Sequence, residues 1–319
     1  MILARPGLAL LAAVDLDEGK RGRDLAELLG EAGEAGLAVE GDLAAVLARV
    51  EPELAVLCTG STLEAVRPDL LRLLPAGVNV VSPCEELVQP EAADPEIAAE
   101  LDRAARRGGA TVLGVGVNPG FALDLLPAFL AGPCRTVERV RARRVLDAAT
   151  RRRSLQRKVG AGLSRDEFDR GLASGELGHV GTRQSVALVG RALGFELVEI
   201  RHRVEAVIAD RLVHSGLGPV AAGRVAGLRD RGVGLDAAGR PRVELELEMY
   251  VGAADPHDEV VLEGCFPSGG RLAARVDGGV PGDAATAALL VNRAPQVVAA
   301  APGLATVLDL PPPGLPTRR

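Results

Sequence analysis

Tryptophan is missing from the 319 residues, tyrosine occurs once (Tyr250) and phenylalanine five times. So few rings exclude a ligand pocket with much aromatic lining. Lysine is nearly as scarce: Lys20 and Lys158 stand alone, and arginine supplies the remaining positive charge against a net −6. Binding phosphate backbones takes a basic footprint, so nucleic acid is excluded as a partner. No apolar run reaches the roughly 18 residues that cross a bilayer, which excludes a membrane helix. The opening MILARPG has no apolar core followed by a small-residue cleavage site, so no secretory signal is read there. Cysteine occurs four times (Cys58, Cys84, Cys134, Cys265), far apart and without metal-ligand spacing. No metal site is expected, and reduced thiols in a cytoplasmic protein are the simplest account.

What is present suits a soluble globular protein: 47% hydrophobic and 25% charged residues, at a length for which two domains are the natural prior. The first part alternates strands and helices. Leu8 to Val14 is a continuous apolar run, as a strand buried on both faces should be. A helical turn over Asp24 to Leu29 follows, then a helix from Leu43 to Val50 with Asp42 as its cap. Strands at Leu54 to Cys58, Asn79 to Ser82 and Thr111 to Gly114 alternate with helices at Leu63 to Leu74 and Pro95 to Arg107. That order implies a parallel sheet with right-handed crossovers.

Beyond about residue 130 the period changes to two. Val137 to Val145 and Val243 to Val251 alternate strictly, and Val260 to Gly264 and Arg271 to Val276 read as further strands, so a mostly antiparallel sheet is expected. Helices are expected at Arg165 to Ser174, Thr182 to Leu193 and Asp283 to Ala300, the last packing back on the first domain. The tail Pro311 to Arg319 reads as extended or loose. The arginine run Arg139, Arg141, Arg143, Arg144, Arg151, Arg152, Arg153 reads as a solvated strand face plus loop. The expected class is therefore α/β. A Rossmann-like domain over 1–130, completed by 283–310, precedes an α+β domain over 131–282 for substrate and oligomerisation.

A dinucleotide-binding βαβ unit carries G-x-G-x-x-G between its first strand and first helix, and an acidic residue for the ribose hydroxyls about 20 residues later. Asp15 has the context of that acid, yet counting back 20 residues runs off the chain. The Rossmann sheet is thus read as lacking its first strand and its glycine-rich loop, through a wrongly assigned start or as a fragment. Weak binding of the nicotinamide cofactor, and unpaired edges on the two strands that would flank the first one, are expected.

Several segments together are similar to one family. They are Asp15 to Leu28, Cys58-Thr-Gly-Ser61, Asn79-Val-Val-Ser-Pro-Cys-Glu-Glu-Leu87, Gly116-Val-Asn-Pro-Gly-Phe121, Leu155-Gln-Arg-Lys-Val-Gly-Ala-Gly162, Gly178-His-Val-Gly181, Gly278-Gly-Val-Pro-Gly-Asp283 and Ala301 to Pro311. The sequence resembles the 2,4-diaminopentanoate dehydrogenase family, which includes native amine dehydrogenases and is related to dihydrodipicolinate reductases. It departs from the reductases in having no two histidines adjacent. The resemblance implies an NAD- or NADP-dependent oxidoreductase acting on the CH–NH2 group of a small aliphatic amine or diamine, or in reverse on a ketone with ammonia. It also implies a homodimer. Alternatives are a dihydrodipicolinate reductase-like imine reductase and an inactive homologue.

Such chemistry needs a carboxylate near the reacting nitrogen and a dry pocket. Glu85 and Glu86 follow a strand at the C-terminal edge of the parallel sheet, where ligands bind. The resemblance places the catalytic glutamate in this segment, with Glu85 preferred to Glu86. Both also suit a plain turn cap. Thr59, Gly60 and Ser61 form a small-residue turn where a nicotinamide ribose would approach the backbone, or an ordinary strand-to-helix turn. Asn118, with Pro119 and Gly120, would hydrogen-bond the nicotinamide amide or the substrate, or merely make a turn. Asp15 favours NAD, while Lys20 and Arg21 (with Arg23) would pair with the 2′-phosphate of NADP. Gln156, Lys158 and His179 are substrate-side candidates on the resemblance alone.

Overall fold

The computed structural model describes residues 1–30, 35–267 and 269–312. Two short parallel strands come first, β1 (Ala13–Val14) and β2 (Val39–Glu40), paired with each other. Between them lies α1 (Leu25–Leu29), started by Asp24, whose carboxylate accepts from the Ala26 amide. Helix α2 (Leu43–Arg49) starts the same way, with Asp42 accepting from the Ala44 and Ala45 amides. Then β3 (Leu54–Val56), α3 (Leu63–Leu73), β4 (Asn79–Ser82), α4 (Pro95–Gly108) and β5 (Thr111–Gly114) alternate as the periodicity requires. Apolar β4 and β5 are buried throughout, except for half-buried Asn79, as strands covered on both faces must be.

Helix α5 (Leu125–Leu130) leads into β6 (Arg139–Asp147). Three helices follow: α6 (Arg153–Lys158), α7 (Arg165–Ala173) and α8 (Thr182–Leu193). The next strands are β7 (Glu199–Ile208), β8 (Val213–Ser215), β9 (Gly218–Val220), β10 (Val225–Leu235), β11 (Pro241–Tyr250), β12 (His257–Glu263) and β13 (Arg271–Asp277). Six of these strands form one sheet in the order β13-β12-β6-β11-β10-β7, antiparallel except for the β6–β11 pair. One face is apolar and covered by α8. On the other, Arg139, Arg141 and Arg143 pair with Glu244, Glu263, Glu246 and Glu248.

The chain then returns through α9 (Gly282–Val298) and β14 (Gly303–Ala305). Helix α9 packs on β3, β4 and β5, and β14 pairs with the free edge of β5. The resulting parallel sheet runs β14-β5-β4-β3. Among the described residues it is not hydrogen-bonded to the β1–β2 pair. No described helix is long and apolar enough to cross a membrane.

Two expectations need correction, two strands went unread and one expectation lies mostly outside the described residues. Leu8 to Val14 is a strand only at Ala13–Val14, and Leu11 and Val14 are exposed. A parallel strand is buried where other elements cover both faces of its sheet, and β1 with β2 forms only a separate two-stranded sheet. Strands β7 and β10, which period two did not reveal, supply a third of the large sheet. The arginine run is not all solvated: Arg144 is buried and Arg151 nearly so. Of the proline-rich tail, residues 313–319 lie outside the described part.

Candidate active site

Strand β4 ends in Ser82, whose hydroxyl donates to the Leu57 carbonyl at 2.6 Å and accepts from the Cys84 amide at 3.1 Å. The 3₁₀ turn Glu85–Val88 follows. It lies on the end of β5 so closely that a Cβ at Gly114 would stand 2.3 Å from the Leu87 carbonyl carbon. The two glutamates diverge here. Glu86 turns to α3 and accepts from the Leu63 amide at 2.7 Å. Glu85 enters a cavity of about 200 Å³.

Opposite walls come from both halves of the chain. Val117 and Asn118 follow β5, Thr286 comes from the first turns of α9, and Lys158 from α6. The cavity floor is Leu247 and Met249 of β11. Gly181 brings His179 in: its φ is 109°, and a Cβ there would stand 2.6 Å from Pro119 Cγ and 3.1 Å from Glu85 Cβ. Asn118 and Pro119 are joined by a cis peptide. Asp124 fixes their turn, accepting from the Gly120 amide at 2.8 Å and from the Ser185 hydroxyl of α8 at 2.7 Å. Burial raises the Asp124 carboxyl above the usual range, against the pull of these donated bonds.

Charge at the cavity is mostly positive. Arg144 is buried and holds both oxygens of Asp258 at 2.7 and 2.6 Å. The pair grips Val280 through its carbonyl (2.5 Å, from Arg144) and its amide (2.8 Å, to Asp258). Arg151 pairs with Asp283 at 3.1 Å, while Lys158 has no carboxylate partner among the described residues. His179 Nε2 lies 3.3 Å from the Asn118 carbonyl. Its Nδ1 is 3.8 Å from Asp230, which His202 contacts at 2.7 Å. Burial lowers the His179 pKa, so the ring is neutral near pH 7.

Comparison with known proteins places this arrangement. Residues 121–316 match the C-terminal domain of 2,4-diaminopentanoate dehydrogenase. The chain is 32% identical over 281 residues to the 2,4-diaminopentanoate dehydrogenase of Acetoanaerobium sticklandii, covering 86% of this chain and 78% of that protein. The chain belongs to the 2,4-diaminopentanoate dehydrogenase family. Amine dehydrogenase from Streptomyces virginiae is 28% identical over 338 residues, covering 97% of this chain and 91% of that protein. The structure of an amine dehydrogenase from Mycobacterium smegmatis superposes with a TM-score of 0.85 at 29% identity, over 97% of this chain and 91% of that one.

In this 2,4-diaminopentanoate dehydrogenase family member, Glu85, Asn118, Lys158 and His179 meet in one cavity. Glu86 and Gln156 stand outside it. Gln156 is buried and ties loops together, donating to the Arg151 carbonyl at 2.6 Å and accepting from the Gly216 amide at 2.8 Å. Thr59 is exposed and donates to Asp69 at 3.4 Å, and the Ser61 carbonyl accepts from the Glu86 amide. A Cβ at Gly60 would stand 2.7 Å from Ala65 Cβ, so helix packing alone accounts for that glycine. Pro119 packs on Gly181, and Gly120 donates to Asp124. Asp15 is paired with Lys20 at 2.5 Å, while Arg21 reaches the Asp15 carbonyl at 3.4 Å. The Lys20 hydrogen bond chiefly lowers the Asp15 pKa. Sequence reasoning missed Arg144, Arg151, Asp124 and Asp230. Each has a partner at least 28 residues away in the chain, and only an arginine or aspartate at an inward-facing position hinted at them.

Proposed function

We propose that the chain oxidises the CH–NH2 group of a small aliphatic amine or diamine with NAD or NADP, and runs in reverse as the reductive amination of a ketone. The observation that carries this reading is the Glu85 carboxylate, delivered by the end of β4 into a cavity closed by the other half of the chain. There it would hold the substrate ammonium and take a proton from its nitrogen. Leu247, Met249 and Val117 keep the reacting carbon in apolar surroundings, which protects an imine from water.

The nicotinamide end of the cofactor fits the residues present. Asn118 Oδ1 is buried without a hydrogen-bond partner, as an acceptor for a carboxamide N–H would be. When bound, the nicotinamide takes hydride from the carbon bearing the amine. Asp15 and Lys20 would meet the adenosine ribose. Because they are paired, Asp15 repels a 2′-phosphate less than a lone carboxylate would, so both cofactors stay within the reading.

Arg151 and Lys158 at one wall favour a substrate that carries a carboxylate besides its amine, as the name of the A. sticklandii relative implies for that enzyme. Neighbouring histidines, the mark of the reductase alternative, are lacking. We read 1–130 with 283–310 as the cofactor unit and 131–282 as the substrate unit, in a cytoplasmic homodimer built on the open sheet face. The test is Glu85→Gln. Turnover should fall by about 10²- to 10⁴-fold, the range for a positioned acid–base, with cofactor affinity kept. Undiminished turnover would remove Glu85 from the chemistry.

A further inference from the structure

Helix α9 brings one hydroxyl to the cavity, that of Thr286 in its second turn. A threonine inside a helix often back-bonds to the carbonyl four residues before it, here that of Gly282. Thr286 instead accepts at Oγ1 from the Val117 amide at 3.1 Å, and among the described residues its hydroxyl donates to no acceptor. It lies against the loop that follows β5: a Cβ at Gly116 would stand 3.7 Å from Thr286 Oγ1 and 3.8 Å from its Cγ2. That loop is also tied on either side. The Val115 amide donates to the Ser82 carbonyl at 2.8 Å, and the Ala122 amide to the Val117 carbonyl at 2.8 Å. Asn118 therefore leaves from a fixed point, and its Oδ1 is buried without a partner.

Two groups of opposite kind are left over. Accepting from the Val117 amide occupies a lone pair of the Thr286 hydroxyl and leaves its one hydrogen free. Bracing the loop explains the lone pair and says nothing of the hydrogen. Asn118 Oδ1 is an acceptor without a donor, and both residues line the same cavity. Buried polar atoms are costly to leave unpaired, so a ligand that completes one should be asked to complete the other. An alkylammonium offers donors alone, and a ketone offers an acceptor alone. A primary carboxamide carries an N–H and a carbonyl oxygen side by side and completes both at once.

We propose that Thr286 donates its hydroxyl hydrogen to the carboxamide oxygen of the bound nicotinamide, while Asn118 Oδ1 accepts from the NH2 of the same group. The proposal rests on the cofactor reading given above. It gives the helix that returns from the end of the chain a direct part in holding the cofactor. Two contacts to one side group fix the ring about its bond to the ribose. Turning the ring over would carry the carboxamide away from both residues, so one ring face alone meets the carbon beside Glu85. Thr286 acts here as a positioning residue and exchanges no proton with the substrate.

Binding tests this without turnover, by calorimetric titration with NAD and three relatives of it (or their 2′-phosphorylated forms where the wild type prefers NADP). ADP-ribose lacks the nicotinamide. The thionicotinamide analogue keeps the NH2 but replaces the oxygen by a weakly accepting sulfur. The 3-acetylpyridine analogue keeps the oxygen but replaces the NH2 by methyl. Wild type should bind the thionicotinamide analogue about three- to tenfold more weakly than NAD, the worth of one hydrogen bond. Thr286→Val, of nearly the same shape, should lose about the same factor for NAD and for the acetylpyridine analogue. ADP-ribose should bind unchanged, and Thr286→Ser should restore both losses. If Thr286 only braced the Asn118 loop, the loss would appear with ligands that carry the NH2 and vanish with the acetylpyridine analogue. That pattern overturns the contact, as does an NAD affinity equal in Thr286→Val and wild type. Should Thr286→Val fail to fold, wild type decides alone: a thionicotinamide analogue bound as tightly as NAD overturns the contact. Wild type that binds NAD no better than ADP-ribose refutes the cofactor reading itself, and the contact with it.

Discussion

Gly114→Ala separates the position of Glu85 from its chemistry. The new methyl would begin 2.3 Å from the Leu87 carbonyl carbon and 2.6 Å from Leu87 Cβ. Ordinary contact begins near 3.4 Å, so the turn carrying Glu85 must retreat by about 1 Å. The backbone of β5 cannot give way instead, since it is held by β4 on one edge and β14 on the other. Displacing a positioned group by that much costs about 100-fold in rate, and overpacking costs about 1–3 kcal/mol of stability. Steady-state amine oxidation and thermal unfolding should therefore both fall. Gly108→Ala is the matched control: its methyl would strike the Leu74 carbonyl oxygen, far along α4 from the cavity, and should lower the melting temperature while keeping turnover. A Gly114→Ala enzyme that unfolds earlier yet works at the wild-type rate would refute the claim that this turn aims Glu85.

Other outcomes follow from the buried groups. Arg144→Met strands Asp258 as an unpaired buried charge and should cost about 3–5 kcal/mol in chemical denaturation, with Asp258→Leu added on top recovering much of it. Asp124→Asn sets an NH2 against either the Leu125 N–H, which Oδ1 accepts, or the Gly120 N–H, which Oδ2 accepts; the loss should be about 1–3 kcal/mol, with a higher KM for cofactor from the loosened Asn118 turn. Stability should also decline as pH falls below about 6.5, the free histidine value. Burial holds His179 below that value in the folded chain, so the unfolded chain takes its proton first. His179→Asn should flatten that part of the pH–stability curve, and an unchanged curve would count against the buried neutral ring.

Much of the fold was legible. Continuous apolar runs gave β4 and β5 to the residue, and strict alternation gave β6 and β11. Strands β7 and β10 were not, because His202 and Asp230 break the alternation and Gly227, Gly232 and Gly234 weaken strand preference. Those glycines answer to something the local sequence does not contain: a Cβ at Gly232 would stand 2.8 Å from Thr182 and Val186 of α8. At the site, Glu85 was legible because strand ends in a parallel sheet collect ligands. Its distinction from Glu86 rests on Leu63, 23 residues earlier. Arg144 read as one more solvated arginine because its partner Asp258 lies 114 residues away.

The return of the C-terminal segment bears on how the protein is made. Thr111 bonds to the Ala301 carbonyl across 190 residues, and β14 seals the edge of β5. On the ribosome, β5 therefore emerges long before its outer neighbour, with an open strand edge of the kind that templates aggregation. That edge stays open until β14 has been made.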